Sequence, residues 1–223
     1  MMKKLVIFDL DGTLINTISD LATSTNVALE ACGFPTHRLE EYPLFVGNGV
    51  NKLFERALPE GERTPENMLR MRTFFLKHYN LHDTDLSKPY PGMLELLARL
   101  QNEGYMLAVA SNKYQEATSE IVKKLLPKIE FKAILGQREN IPIKPDPRII
   151  HDLLALTGCT VEEAFFVGDS GVDMQTALNA QIKACGVTWG FRSRTELATF
   201  NPAYLVDKPV EIYEALCKEN KDI

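Results

Sequence analysis

The sequence predicts an α/β protein, a Rossmann-like doubly wound parallel sheet with a helical block inserted early in the chain. Three observations carry this. Leu5-Val6-Ile7-Phe8 is an unbroken apolar run near the amino terminus, as expected of a parallel strand buried on both faces. From Gly92 onward, helical stripes alternate with short apolar runs. Between about Ile18 and His82 only helical stripes occur. The helical block follows the first strand and precedes all the others, so it reads as an insertion of residues 15–85 into a core of residues 1–14 and 86–223.

Within the insertion, Ser19 or Asp20 is the expected cap of a helix through Leu21, Val27, Ala28 and Ala31, stopped at Gly33. Val50, Leu53, Phe54, Ala57 and Leu58 form a second stripe, and Pro65 opens a third that runs to Tyr79. No strand is expected here, and the polar, proline-containing stretch Asp83 to Pro91 reads as the return linker. In the core, strands are expected at 106–110, 133–135, 164–167, 182–187 and 204–206. Helices are expected from Gly92 to Gly104, and at 116–126, 147–156, 173–180 and 194–199, with a last one reaching Cys217.

The chain of 223 residues is 45% hydrophobic and 25% charged, an ordinary globular composition with enough length for a real core. Its formal net charge of -5 gives no basic footprint for nucleic acid. The first apolar run breaks at Asp9, too soon for a signal-peptide core or a membrane span. The four cysteines, Cys32, Cys159, Cys185 and Cys217, have no metal-ligand spacing and are expected to be reduced thiols. A cytoplasmic protein, monomeric or homodimeric, is the expectation.

The chemistry is expected where the strands end, since an open α/β sheet binds its ligand beyond their carboxyl ends. Asp9 and Asp11 follow the first strand, Ser111-Asn112-Lys113 the second, and Gly168-Asp169-Ser170-Gly171-Val172-Asp173 the fourth, while Lys144 precedes a proline-marked helix start. In a parallel sheet these tips share one edge. Four carboxylates gathered there need a counter-charge, because a like pair at about 4 Å costs roughly 4 kcal/mol at an effective dielectric near 20. A hard divalent cation such as Mg²⁺ resolves this. Ser111, Lys144 and backbone N–H groups of the Asp11 to Thr13 turn would remain for a phosphoryl group. Phosphoryl transfer is the chemistry that such an arrangement suits.

Asp9-Leu10-Asp11-Gly12-Thr13, Ser111, Lys144 and Gly168-Asp169-Ser170-Gly171-Val172-Asp173 together resemble the four ordered motifs of the haloacid dehalogenase-like hydrolases. The inserted helical block resembles that family's cap domain. The resemblance implies that Asp9 is a nucleophile forming an aspartyl-phosphate and that Asp11 is the proton shuttle. It further implies that Asp9, the Asp11 carbonyl and Asp169 hold Mg²⁺, with Asp173 in support, and that Ser111 and Lys144 bind phosphate. Phe45-Val46-Gly47-Asn48-Gly49-Val50 and Gly186-Val187-Thr188-Trp189-Gly190-Phe191 resemble segments of phosphoglycolate phosphatases. The implied substrate is therefore a small phosphorylated metabolite, 2-phosphoglycolate first, with Thr13, Asn112, Gly47 and Asn48 among the groups around it. A phosphosugar mutase, or a pyrophosphatase or nucleotidase of the same superfamily, is the alternative.

Taken singly, these residues have plainer uses. Asp9 and Asp11 could belong to a calcium loop, but the terminal bidentate Glu is missing. Asp169 and Asp173 could simply cap a helix, and Gly47 and Gly49 could only shape a turn. Trp189 and Phe191 read as packing residues, and Arg192 and Arg194 as solvated. His37, His78, His82 and His151 read as surface or cap residues without paired spacing.

Overall fold

A computed structural model describes residues 2–221. Its central sheet has six parallel strands: β1 (Leu5–Phe8), β4 (Met106–Tyr114), β5 (Ala133–Gln137), β6 (Ala164–Gly168), β7 (Lys183–Val187) and β8 (Tyr204–Val206). Their order is β5-β4-β1-β6-β7-β8. β1 is thus the point where the winding reverses, with later strands laid down first on one side of it and then on the other. Such a switch point opens a crevice at the carboxyl edge.

β1 is apolar throughout because both of its faces are covered. Val6 and Phe8 pack with residues of α5 (Met93–Asn102), α6 (Gln115–Leu125) and α10 (Pro209–Lys221). Leu5 and Ile7 pack on the other face with α7 (Arg148–Thr157), α8 (Gly171–Asn179) and α9 (Arg194–Ala198). Side chains alternate across a strand, so four residues serve two layers.

The helical block comprises α1 (Ile18–Cys32), the short α2 (Tyr42–Phe45), α3 (Val50–Ala57) and α4 (Pro65–His82). It has a core of its own around Leu29, Tyr42, Phe54, Met71, Phe75 and Tyr79. Its two connections are not plain linkers. β2 (Ile15–Asn16) pairs antiparallel with β3 (Lys88–Pro89), strands too short for periodicity to disclose. Beside them the Asp20 carboxylate accepts from the backbone N–H groups of Leu86 and Ser87 and from the Ser87 hydroxyl. Asp20 therefore ties the outgoing chain to the returning one, and α1 begins earlier, at Ile18.

Of the other boundaries that differ from expectation, two bear on the site. α8 starts at Gly171 rather than Asp173, because Ser170 and Asp173 form a reciprocal capping box. β4 runs on through Ser111, Asn112 and Lys113 to Tyr114, with its register against β5 shifting between Ala110 and Tyr114. The polar triplet is thus an irregular strand end, where side chains are re-aimed. None of the described helices is long and apolar enough to cross a membrane.

Candidate active site

Strand register brings the site together. Phe8 is level with Val109 on one neighbour and Val167 on the other, so the next residues, Asp9, Ala110 and Gly168, emerge side by side. Asp169 follows Gly168, and α8 then carries Asp173 back toward the same edge. Carboxylate oxygens of Asp9, Asp169 and Asp173, all buried, lie within 4.8 Å of one another.

Lys144 lies between two members of this triad, with Nζ donating to Asp9 Oδ1 at 2.8 Å, Asp173 Oδ1 at 2.6 Å and the Ala110 carbonyl at 2.8 Å. Burial works against its charge, but Asp173 and Asp9 prevail and raise its pKa. Burial pushes the Asp9 carboxyl well above the usual carboxylate range. Lys144 opposes that rise, while Asp173 and Asp169 add to it. Burial, reinforced by Asp173, pushes Asp169 up to about 7, against hydrogen bonds from the Phe191 N–H and the Thr13 hydroxyl.

Asp11 stands outside the triad. Its Oδ2 takes the Lys113 ammonium at 2.9 Å and its Oδ1 the Thr17 hydroxyl at 2.7 Å. With all four carboxylates ionised against two ammoniums, two negative charges remain, the number that a divalent cation cancels. Hard oxygen donors on three elements, close together and under-compensated, fit such an ion. The glycines here are steric requirements: a Cβ on Gly190 would lie 2.3 Å from the Asp169 Cβ, and one on Gly12 2.3 Å from Asp169 Oδ2.

Asp9, Asp11, Ser111, Asn112, Lys113, Tyr114 and Lys144 form the core side of a cavity of about 60 Å³. Its other wall comes from the helical block, with Leu21, Val46, Gly47, Gly49, Val50, Leu53, Phe75 and Tyr79. The helical block thus faces the strand ends across this cavity. Arg192, expected in solvent, helps to hold it there: its guanidinium donates to the carbonyls of Pro43 and Val46.

Of the residues expected around a substrate, Gly47, Ser111, Asn112 and Lys144 line this cavity, whereas Asn48 and Thr13 do not. Asn48 Oδ1 accepts from Arg56. The Thr13 hydroxyl is spent on Asp169, and the N–H groups of Gly12 and Thr13 serve the turn by donating to the Ile15 and Leu10 carbonyls. The Asn112 side chain bonds the Lys144 backbone at both its N–H and its carbonyl. The Trp189 indole donates to the Thr13 carbonyl. His78 and His82 are paired after all, one turn apart on α4 with stacked rings 4.4 Å between centroids. Sequence reasoning missed Lys113 as a site residue. The available signal was a charge at the end of an otherwise apolar strand.

A family model described as haloacid dehalogenase-like hydrolase matches residues 6–187. A phosphoglycolate phosphatase of Mesorhizobium japonicum is 34% identical over 224 residues, covering 98% of each chain. One from Aliivibrio fischeri is 30% identical over 210 residues, covering 92% of each. A crystal structure from Lactobacillus delbrueckii subsp. bulgaricus, provisionally named phosphoglycolate phosphatase, superposes with a TM-score of 0.91 at 31% identity, over 97% of this chain and 99% of that one. The chain belongs to the haloacid dehalogenase-like hydrolases. Within that family it is phosphoglycolate phosphatase-like.

Proposed function

We propose that this phosphomonoester hydrolase removes phosphate from a small phosphorylated acid, 2-phosphoglycolate in the first instance, through an aspartyl-phosphate on Asp9. One observation carries the reading: Asp9 and Asp11 line one cavity but have different surroundings. Asp9 sits within the acidic triad and against Lys144, and Asp11 sits apart on Lys113 and Thr17. Two carboxylates in unlike environments can take unlike roles.

In this mechanism Asp9 attacks phosphorus, the bond to the ester oxygen breaks, and Asp11 gives its proton to the departing glycolate oxygen. Asp11, now ionised, takes a proton from the water that attacks the aspartyl-phosphate. Phosphate leaves and Asp9 is restored. Lys144 offsets the repulsion between the Asp9 carboxylate and the incoming phosphate, and Ser111 donates to a phosphate oxygen. Asp9, Asp169 and Asp173, with the Asp11 carbonyl, would hold Mg²⁺, which when bound neutralises charge gathering around the transferring group. The apolar wall from the helical block limits the water around the reacting groups.

The test is phosphate release across 2-phosphoglycolate, sugar phosphates, nucleotides and pyrophosphate with Mg²⁺, for the native chain and Asp9→Asn. The expected result is highest kcat/KM on 2-phosphoglycolate and a loss of at least about 10³-fold in the variant. Preference for another class would overturn the substrate, and near-normal turnover by Asp9→Asn would overturn the covalent route.

A further inference from the structure

The cavity lining contains two cations, and the mechanism above uses one. Lys144 serves the phosphoryl end. Lys113 lies beside Asp11, almost fully buried, with its ammonium 5.1 Å from the centre of the Tyr79 ring. The Tyr79 hydroxyl is close enough to feel that charge yet is in hydrogen-bonding geometry with no group, and the Tyr114 hydroxyl is likewise buried without a partner. Both tyrosines line the same cavity. Buried polar groups are normally satisfied, and exceptions call for an explanation.

Their common placement supplies one, and it rests on the phosphatase reading above. Lys113 Nζ donates to Asp11 Oδ2 at 2.9 Å and lines the same cavity as the two partnerless hydroxyls. A substrate with a second anionic group would give both hydroxyls an acceptor beside an ammonium. Apart from Tyr79 the wall opposite is apolar side chains and glycine, with Leu21, Val46, Val50, Leu53 and Phe75, offering little to the hydroxyls of a sugar.

We propose that Lys113, with the hydroxyls of Tyr79 and Tyr114, forms a subsite for the substrate's carboxylate, and that this subsite selects short phosphorylated carboxylic acids over phosphomonoesters with neutral tails. Lys113, which donates to Asp11 in this structure, has further N–H groups for the substrate carboxylate.

The experiment compares 2-phosphoglycolate with 2-hydroxyethyl phosphate, which replaces the carboxylate by a neutral alcohol, in the native chain, Lys113→Gln and Tyr79→Phe. The native chain is expected to favour the acid by about 100-fold or more in kcat/KM, as sites built around a polar group reject analogues lacking it. Lys113→Gln should reduce that ratio at least tenfold, chiefly through KM for the acid. Tyr79→Phe should raise that KM severalfold while leaving the melting temperature equal or higher, because an orphan hydroxyl is removed. If Lys113→Gln slows both substrates by one factor, or if Tyr79→Phe leaves KM for the acid unchanged, the subsite is refuted. Should Lys113→Gln not fold, Tyr79→Phe decides alone. Should the native chain not turn over 2-phosphoglycolate, the proposed function fails, and the subsite is judged by calorimetric binding of that compound. Affinity at least tenfold weaker for the tested variant than for the native chain upholds the subsite, and equal affinity overturns it.

Discussion

Lys144 Nζ lies 2.8 Å from Asp9 Oδ1, joining residues 135 positions apart in a buried ion pair. The same ammonium holds Asp173, so one cation keeps two carboxylates of the acidic triad together. Removing one partner of a buried pair costs far more than the pair contributes in net terms. Lys144→Met should therefore lose activity and also destabilise the fold by about 3–5 kcal/mol in metal-free buffer, read from urea denaturation. A variant as stable as the native chain would contradict the pairing.

The triad also makes stability depend on pH and metal. The Asp169 carboxyl is at about 7 in the folded chain against a usual 3.8, so the folded state is favoured when this group is protonated. Stability from this group is present below pH 4 and is lost as pH rises from about 4 to about 7. A divalent cation relieves the penalty but must displace the proton. Mg²⁺ at about 100 times its Kd should raise the melting temperature by roughly 5–10 °C at pH 8, by less at pH 6, and chelation should reverse the gain. An equal effect at both pH values would count against the triad as the binding site.

Gly190→Ala tests the packing around Asp169. The backbone at Gly190 lies outside the left-handed region, so the expected cost is steric, from contacts at 2.3 Å to the Asp169 Cβ and 2.4 Å to the Gly12 carbonyl. About 1–3 kcal/mol of stability should be lost, together with weakened Mg²⁺ binding by calorimetry. Unchanged metal affinity would mean that Asp169 can move without consequence.

Asp20→Ala tests the connection between the helical block and the core. Its carboxylate receives two backbone N–H groups and a hydroxyl from Leu86 and Ser87. Loss of these charge-assisted bonds should cost about 2 kcal/mol and accelerate amide exchange at Leu86 and Ser87 before other sites. Exchange that accelerates uniformly would place the effect in the whole fold rather than at the hinge.

Much of the molecule is legible along the chain, and the reason is periodicity. A strand buried on both faces must be apolar at every position, as at Leu5 to Phe8, and each helix facing the sheet must repeat its stripe. Paired strands of two residues, Ile15–Asn16 with Lys88–Pro89, have no period to read. The start of α8 was misplaced because Ser170 and Asp173 act on each other's backbone, a reciprocity that spacing alone does not reveal.

Sequence by itself determined which groups meet at the strand ends, since parallel winding brings every carboxyl terminus to one edge whatever the side chains do. It set Asp9, Asp11, Asp169, Asp173 and Lys144 within reach of each other. Tertiary structure decided how those charges are shared, because an ion pair depends on distances of a few tenths of a nanometre that no spacing encodes. It gave Lys144 to Asp9 and Asp173, turned Thr13 to Asp169 and Asn48 to Arg56, and placed Lys113 between Asp11 and Tyr79. That last placement required the helical block to face a strand end that lies 34 residues from Tyr79 in the chain.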